Sequence, residues 1–253
     1  MNRIGFWAVI VTVGFFVIGA LFAFVVLPRS QLGSPQSLFS AWCSALGVPR
    51  NWSSSRLEVI APSPSSSVVL SHHLLADPQP AQIGHGATLA LRCSMCHAPR
   101  GISNANSPNL AGQYAVVIYK QLRDYQSGIR VNAIMTAMAG ILSDQEMQDL
   151  AFYYASLPKP TGPLSTTAAP PIVKWGAPVR NVAACGSCHG GIDHTMASPW
   201  LNGEPVAYIR EQLVAFAAGE RVNDINGQMR AMARGMTDDE IQEAAAYFAG
   251  GTQ

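Results

Sequence analysis

The sequence predicts an all-α protein in which two copies of one small helical unit stand in tandem behind a single membrane-spanning helix. Three observations carry that expectation. The N-terminus opens with a long uncharged apolar run, later segments repeat apolar residues at helical spacing without convincing strand alternation, and residues 81–250 contain an internal repeat.

From Ile4 to Leu27 there are 24 residues without a charge, lying between Arg3 and Pro28-Arg29. As a helix this run reaches about 36 Å, longer than a ~30 Å hydrocarbon core. A cleaved signal peptide has an apolar region of only about 7–15 residues ahead of a small-x-small site, whereas this one ends in Phe24-Val-Val-Leu27. Residues 1–27 are therefore expected to be an uncleaved anchor, with Trp7 suited to the interface.

Residues 28–80 are rich in Ser and Pro and read as a flexible or extended tether. Inside it, Leu38, Phe39, Trp42 and Leu46 fall on one helical face, so a short amphipathic helix is expected over 37–46. It could lie on the membrane or the folded units, or dock a partner, and Cys43 within it reads as a small buried hydrophobe.

The repeat fixes the rest. The first copy holds Cys93-Ser-Met-Cys-His97, Ser107-Pro-Asn-Leu-Ala-Gly112, Gln121-Leu-x-x-Tyr125-x-x-Gly128-x-Arg130, Met135-x-x-Met138 and Ser143-Asp144. The second holds Cys185-Gly-Ser-Cys-His189, Ser198-Pro-Trp-Leu-Asn-Gly203, Gln212-Leu-x-x-Phe216-x-x-Gly219-x-Arg221, Met229-x-x-Met232 and Thr237-Asp238. Helices are expected over 82–92, 113–127, 144–157, 204–218 and 238–249, with Ser143 and Thr237 capping the last helix of each copy and Glu146 and Glu240 completing capping boxes. The Pro-rich stretch from Pro158 gives domain boundaries of 81–158 and 181–253 around a linker at 159–180. Each copy has about 75 residues, at the small end for a self-supporting core, so a large bound cofactor would supply missing apolar interior.

Net charge is +1 and only 12% of residues are charged against 49% apolar, which offers no basic footprint for nucleic acid. The chemistry lies in Cys-x-x-Cys-His, present twice. That spacing presents two thiols to the vinyl groups of one porphyrin, and the next residue offers an imidazole to its iron. A four-cysteine zinc site or a thioredoxin-like pair would not require the histidine. Cys93, Cys96 and His97, and Cys185, Cys188 and His189, thus predict two covalently attached haem c groups. Such haem is attached outside the cytoplasmic membrane, which puts the N-terminus inside and residues 28–253 in the periplasm.

Met135 and Met229 follow their histidines by 38 and 40 residues and are expected as sixth ligands of the irons. Met138 and Met232, three residues on, are the alternative ligands or contacts to the porphyrin edge. Pro108 and Pro199 lie 11 and 10 residues after the histidines and are candidates to accept a bond from the second ring nitrogen. Arg130 and Arg221 would meet haem propionates or solvent. His72, His73, His85 and His194 are read as ordinary surface or helix residues.

On these motifs, with Asn109-Leu-Ala-Gly-Gln113 and Leu142-Ser-Asp-Gln145 before Leu150-Ala-Phe-Tyr-Tyr154, residues 81–250 resemble the dihaem cytochrome c4 family. The resemblance implies two class I cytochrome c domains about a pseudo-twofold axis, His–Met ligation at both irons with Met135 and Met229, and delivery of electrons to terminal oxidases. Residues 1–80 lie outside it. Gly176-Ala-Pro-Val-Arg180 places a proline where the second domain would have its N-terminal helix, which is expected to be short or missing. The expected function is a non-enzymatic carrier in a respiratory chain on the outer face of the bacterial inner membrane. It would run from a quinol-oxidising complex such as cytochrome bc1 to a haem–copper oxidase, with no nucleic acid and no small-molecule substrate. The rival is the electron-accepting subunit of a membrane-bound periplasmic dehydrogenase.

Overall fold

The computed structural model describes residues 3–22, 64–160, 168–189 and 197–250. The chain divides into two compact units, 1–61 and 62–253. The amphipathic stretch at 37–46, Cys43 and His194 lie outside the described residues.

In the first unit, helix α1 (Arg3–Leu21) is apolar on all sides, and Phe6, Val9, Val13, Phe15, Phe16 and Ile18 are all exposed. A helix apolar all round seeks an apolar medium or a partner. Among the described residues no helix is long and apolar enough to cross a membrane. The 19 residues of α1 reach roughly 28 Å, just short of a ~30 Å core, and the expected continuation to Leu27 falls outside the described residues.

Among the described residues of the second unit the regular elements are all helices, with a single isolated bridge between Ala177 and Val182. The first repeat comprises α2 (Pro80–Ala90), the one-turn α3 (Ser94–His97), α4 (Ala115–Gln126), α5 (Ala133–Gly140) and α6 (Asp144–Ser156). Proline opens α2 and the Ser143–Glu146 capping box opens α6. Leu89, Ala90, Ile118, Leu150, Ala151 and Tyr154 form the core between α2, α4 and α6. Where α2 crosses α6, a Cβ on Gly86 would stand 2.1 Å from the Asp149 carbonyl oxygen, so only glycine permits the approach. His85 Nδ1 lies 2.7 Å from Asp149 Oδ2 at the same crossing. His85 sits inside α2, as the expected helix over 82–92 places it.

The second repeat comprises α7 (Pro171–Lys174), α8 (Val206–Ala218), α9 (Gln228–Arg234) and α10 (Asp238–Phe248), the last opened by the Thr237–Glu240 capping box. The N-terminal helix is reduced to the single turn of α7 and a 3-10 turn at Pro178–Arg180. Residues 171–180 of the expected linker are more than linker, since Ile172 and Val173 are buried in the second core with Val182, Ile209, Ala244, Ala245 and Phe248. Alternation and helical period both fail over so short a segment, which is why its core role escaped the sequence.

The end of the expected tether is likewise docked. Leu74 is buried against Val116, Val117 and Phe152, and the His73 ring meets Phe152 edge-on. Ser66 Oγ donates to Asp124 Oδ1 at 2.6 Å, and Arg230 Nη2 donates to the Pro64 carbonyl at 2.7 Å. Residues 64–79 therefore run over both repeats as part of the folded unit.

The repeats meet through polar groups that obey the repeat symmetry. Arg130 Nη1 donates to Gln121 Oε1 of its own repeat at 2.7 Å, and its Nη2 to Gln212 Oε1 of the other at 2.8 Å. Arg221 mirrors it, donating to Gln212 Oε1 at 2.7 Å and to Gln121 Oε1 at 3.3 Å. Arg130 stacks over Tyr125 and Arg221 over the equivalent Phe216. Beside them the fully buried Asp124 accepts from Asn223 Nδ2 at 2.7 Å and pairs with Lys120, whose Nζ also donates to the Asn223 carbonyl at 2.6 Å.

Candidate haem sites and the seam between them

Each Cys-x-x-Cys-His motif is wound into one turn by the carbonyl of its first cysteine. Cys96 and His97 donate to Cys93 O at 3.2 and 3.0 Å, and Cys188 and His189 to Cys185 O at 3.2 and 2.9 Å. Among the described residues the motif cysteines form no disulfide, the first of each motif being half-buried and the second exposed. Burial raises the pKa of Cys93, although a bond from Tyr154 opposes it. Burial likewise pushes Cys185 up to about 11. Burial thus disfavours a thiolate at either first cysteine, unlike the activated cysteine of a redox pair. Among the described residues no three metal-ligating side chains come together, so the four-cysteine zinc alternative gains no support there.

His97 Nδ1 lies 2.8 Å from the Pro108 carbonyl and His189 Nδ1 lies 2.9 Å from the Pro199 carbonyl. A carbonyl only accepts, so each Nδ1 carries the proton and each Nε2 keeps its lone pair. Burial lowers both histidine pKa values, favouring the neutral ring that metal ligation needs.

The two methionine segments are helical, which periodicity alone did not reveal because α5 and α9 span two turns each. Asn132 caps α5, its Oδ1 accepting from Ile134 N and Met135 N at 3.1 and 3.0 Å. Met135, Met138, Met229 and Met232 are all half-buried. Met232 Sδ accepts from the Ala183 N–H at 3.2 Å and packs in the second core. Arg130 and Arg221, read in sequence as meeting propionates or solvent, turn into the seam.

A second set of seam bonds starts next to the proline carbonyls. The Asn109 N–H donates to Glu204 Oε2 at 2.8 Å, and its Nδ2 donates to the Gly203 carbonyl at 2.6 Å. The Trp200 N–H mirrors the first of these, donating to Gln113 Oε1 at 2.9 Å, while Gln113 Nε2 donates to the Trp200 carbonyl at 2.9 Å. Sequence reasoning passed over Gln113 and Glu204, although they occupy equivalent places after the two Pro-x-Leu segments.

Comparison with known proteins places this geometry. A cytochrome c family model matches residues 83–158, and the model for cytochrome c oxidase, cbb3-type, subunit III matches residues 179–248. Cytochrome c4 of Thiocapsa roseopersicina is 39% identical over 169 residues, covering 64% of this chain and 88% of that protein. The chain belongs to the cytochrome c4 family. The reduced recombinant cytochrome c4 from Pseudomonas stutzeri superimposes with a TM-score of 0.61 at 30% identity, covering 66% of this chain and 97% of that one. The thiosulfate dehydrogenase electron acceptor of Stutzerimonas stutzeri (strain A1501) is 37% identical over 170 residues, 63% of this chain and 79% of that protein.

As a cytochrome c4, the chain carries two covalently bound haem c groups, and the residues fit them. Unpaired thiols at Cys93, Cys96, Cys185 and Cys188 and two imidazoles with free Nε2 form the donor set of the covalent group. The seam fits as well, because Lys120, Arg130 and Arg221 gather around the carboxylate of Asp124. Burial and the neighbouring Arg130 lower Arg221 to about 10. Carboxylates on a bound porphyrin would balance this excess of positive charge.

Proposed function

We propose that this cytochrome c4 is a membrane-anchored, dihaem electron carrier working in a respiratory chain. It passes electrons from a quinol-oxidising complex of the bc1 type to a haem–copper terminal oxidase, with the haem domains in the periplasm. The observation that carries the carrier reading is the pair of near-identical imidazole settings, His97 on Pro108 and His189 on Pro199, held in one unit by reciprocal bonds. Bound haem supplies a reversible one-electron iron couple. The chain's residues keep each imidazole neutral and oriented through its Nδ1–H and exclude water by burial. They also fix the two centres against one another, so that little reorganises when an electron moves.

Met135 and Met229 close the sixth positions. In the second repeat, Met232 spends its sulfur on the Ala183 N–H, which leaves Met229 for the iron. The anchor reading rests on α1, whose exposed apolar side chains on every side suit lipid, together with the uncharged sequence that continues to Leu27.

The likeness to a thiosulfate dehydrogenase electron acceptor favours a second reading, in which the electrons arrive from a dehydrogenase. One experiment separates the two. The protein is purified from gently solubilised native membranes and its reduction is followed with quinol plus membranes or with a periplasmic dehydrogenase and its substrate. Quinol-driven reduction followed by oxidase-driven reoxidation supports the first reading, whereas reduction by the dehydrogenase alone supports the second. Release of the full chain from membranes by carbonate would sink the anchor.

A further inference from the structure

The two repeats place opposite kinds of group behind their histidines. In the second, the peptide joining Pro199 to Trp200 accepts from His189 Nδ1 at its carbonyl and donates its N–H to the neutral carboxamide of Gln113. In the first, the peptide joining Pro108 to Asn109 accepts from His97 Nδ1 and donates its N–H to the carboxyl of Glu204. One peptide group therefore links a buried titratable side chain to the imidazole of the first haem site, and no such group stands in the mirror position.

We propose that Glu204 is a redox-linked proton site for the first haem. It binds a proton while that haem is ferrous and loses it when the haem is oxidised, and it acts through the Pro108–Asn109 peptide. The inference rests on His97 being the axial ligand. In the balanced step, the ferrous haem gives one electron to a one-electron acceptor, and the Glu204 O–H bond breaks to release one proton to solvent. A carboxylate, a ferric haem and a reduced acceptor remain. Reduction reverses each change.

The physical route is polarisation along a hydrogen-bond chain. An anionic Glu204 draws on the Asn109 N–H and leaves the Pro108 carbonyl a stronger acceptor. That pulls the His97 Nδ1 proton and makes Nε2 the more basic donor, which favours the ferric state. A protonated Glu204 instead offers one accepting oxygen and one O–H donor, the same pair that Gln113 offers as a carboxamide.

Glu204 is buried, with 5% of its surface exposed. Burial raises its pKa to about 8, against the opposing pull of the Asn109 N–H. Titratable groups on the neighbouring elements are Lys159 just after α6, Tyr114 just before α4, Tyr208 on α8, which begins two residues after Glu204, and Tyr247 on α10. Lys159 stacks over Trp200 at 4.0 Å and over Tyr114 at 4.8 Å. None of them acts on Glu204 as a charge, its burial and the Asn109 bond being what set it.

The test is a potentiometric titration of the haem-loaded full chain from pH 6 to pH 10, resolving both centres. One midpoint should fall as the pH rises through the Glu204 range while the other stays flat. Coupling of about tenfold in proton affinity, ordinary for two linked sites, gives a fall of about 59 mV. E204Q should flatten the sloping centre and remove a carboxylic-acid band from the redox-difference infrared spectrum. Q113E should give the second centre a slope of its own. Two flat midpoints in the wild type, or a slope that survives E204Q because haem carboxylates carry it, would overturn the inference and leave the carrier reading standing. Centres that fail to cycle reversibly at any pH would overturn both.

Discussion

The two repeats reach the same imidazole geometry from different amounts of helix. The first rests an eleven-residue helix, α2, on α6 through an approach that only Gly86 allows. The second has one turn, α7, and a 3-10 turn, and it ties the 3-10 turn to α10 by a bidentate Arg180–Glu240 pair and to the end of α9 by a bond from Arg180 Nη1 to the Gly235 carbonyl. Yet His97 and His189 meet their proline carbonyls at 2.8 and 2.9 Å. The setting of the histidine thus depends on the motif turn, the proline segment and the C-terminal helix, and the N-terminal helix is the replaceable part.

The largest expected effect tests whether the repeats carry independent irons. Met135→Ala should turn only the first haem high-spin and open it to carbon monoxide, and Met229→Ala only the second, read by absorbance and magnetic spectroscopy of each variant. Met232→Ala should leave both low-spin while lowering stability, because it removes the sulfur bonded to Ala183 and packed in the second core. Next is Gly86→Ala. Driving α2 off α6 should cost about 1–3 kcal/mol or more, as overpacking does, and should loosen the first repeat alone in a urea titration.

A gain of about 1–2 kcal/mol is expected from Ala98→Gly, measured by thermal denaturation. Ala98 follows His97 at φ 57° and ψ 160°, a region that alanine enters at a cost and glycine does not. The second repeat already has Gly190 at the equivalent place.

The smallest effect concerns acid. Arg180 holds Glu240 down to about 2, with the Thr237 cap adding to it. A carboxyl whose folded pKa lies below its ordinary 4.5 stabilises the fold above that value, and the contribution fades as pH falls towards 2. Arg180→Ala should therefore lower the urea midpoint of the second repeat slightly at pH 7. The effect is small because so exposed a pair is screened by water and salt, and the deficit should narrow as Glu240 takes up a proton between 4.5 and about 2, leaving the part owed to the lost Gly235 bond.

Much of this was legible in the sequence because it is written twice. The helices over 113–127, 144–157, 204–218 and 238–249 appear within two residues at each end, and both capping boxes form as the Ser143–Glu146 and Thr237–Glu240 spacings demand. The proline–histidine bonds were readable as a spacing shared by both copies. The boundary regions were not. Ser- and Pro-rich composition argued for a free tether, but Leu74 and Ser66 find specific partners across the fold, and composition carries no record of such contacts. Gln113, Glu204 and Asp124 escaped for another reason. A polar residue on a helix or loop reads as solvated until the face that covers it is known, and here the cover is the other repeat.

The crossed bonds of Arg130 and Arg221 carry a further consequence. Each glutamine oxygen serves its own arginine and that of the opposite half, so residue i meets j while j meets i. That is the pattern of an isologous contact between identical subunits. A gene duplication that fused two such subunits would preserve it intact, leaving a dimer written as one chain. Fusion also replaces an association that dilution can undo with one held at an effective concentration in the millimolar range. Two electron sites can then keep their spacing however scarce the protein becomes.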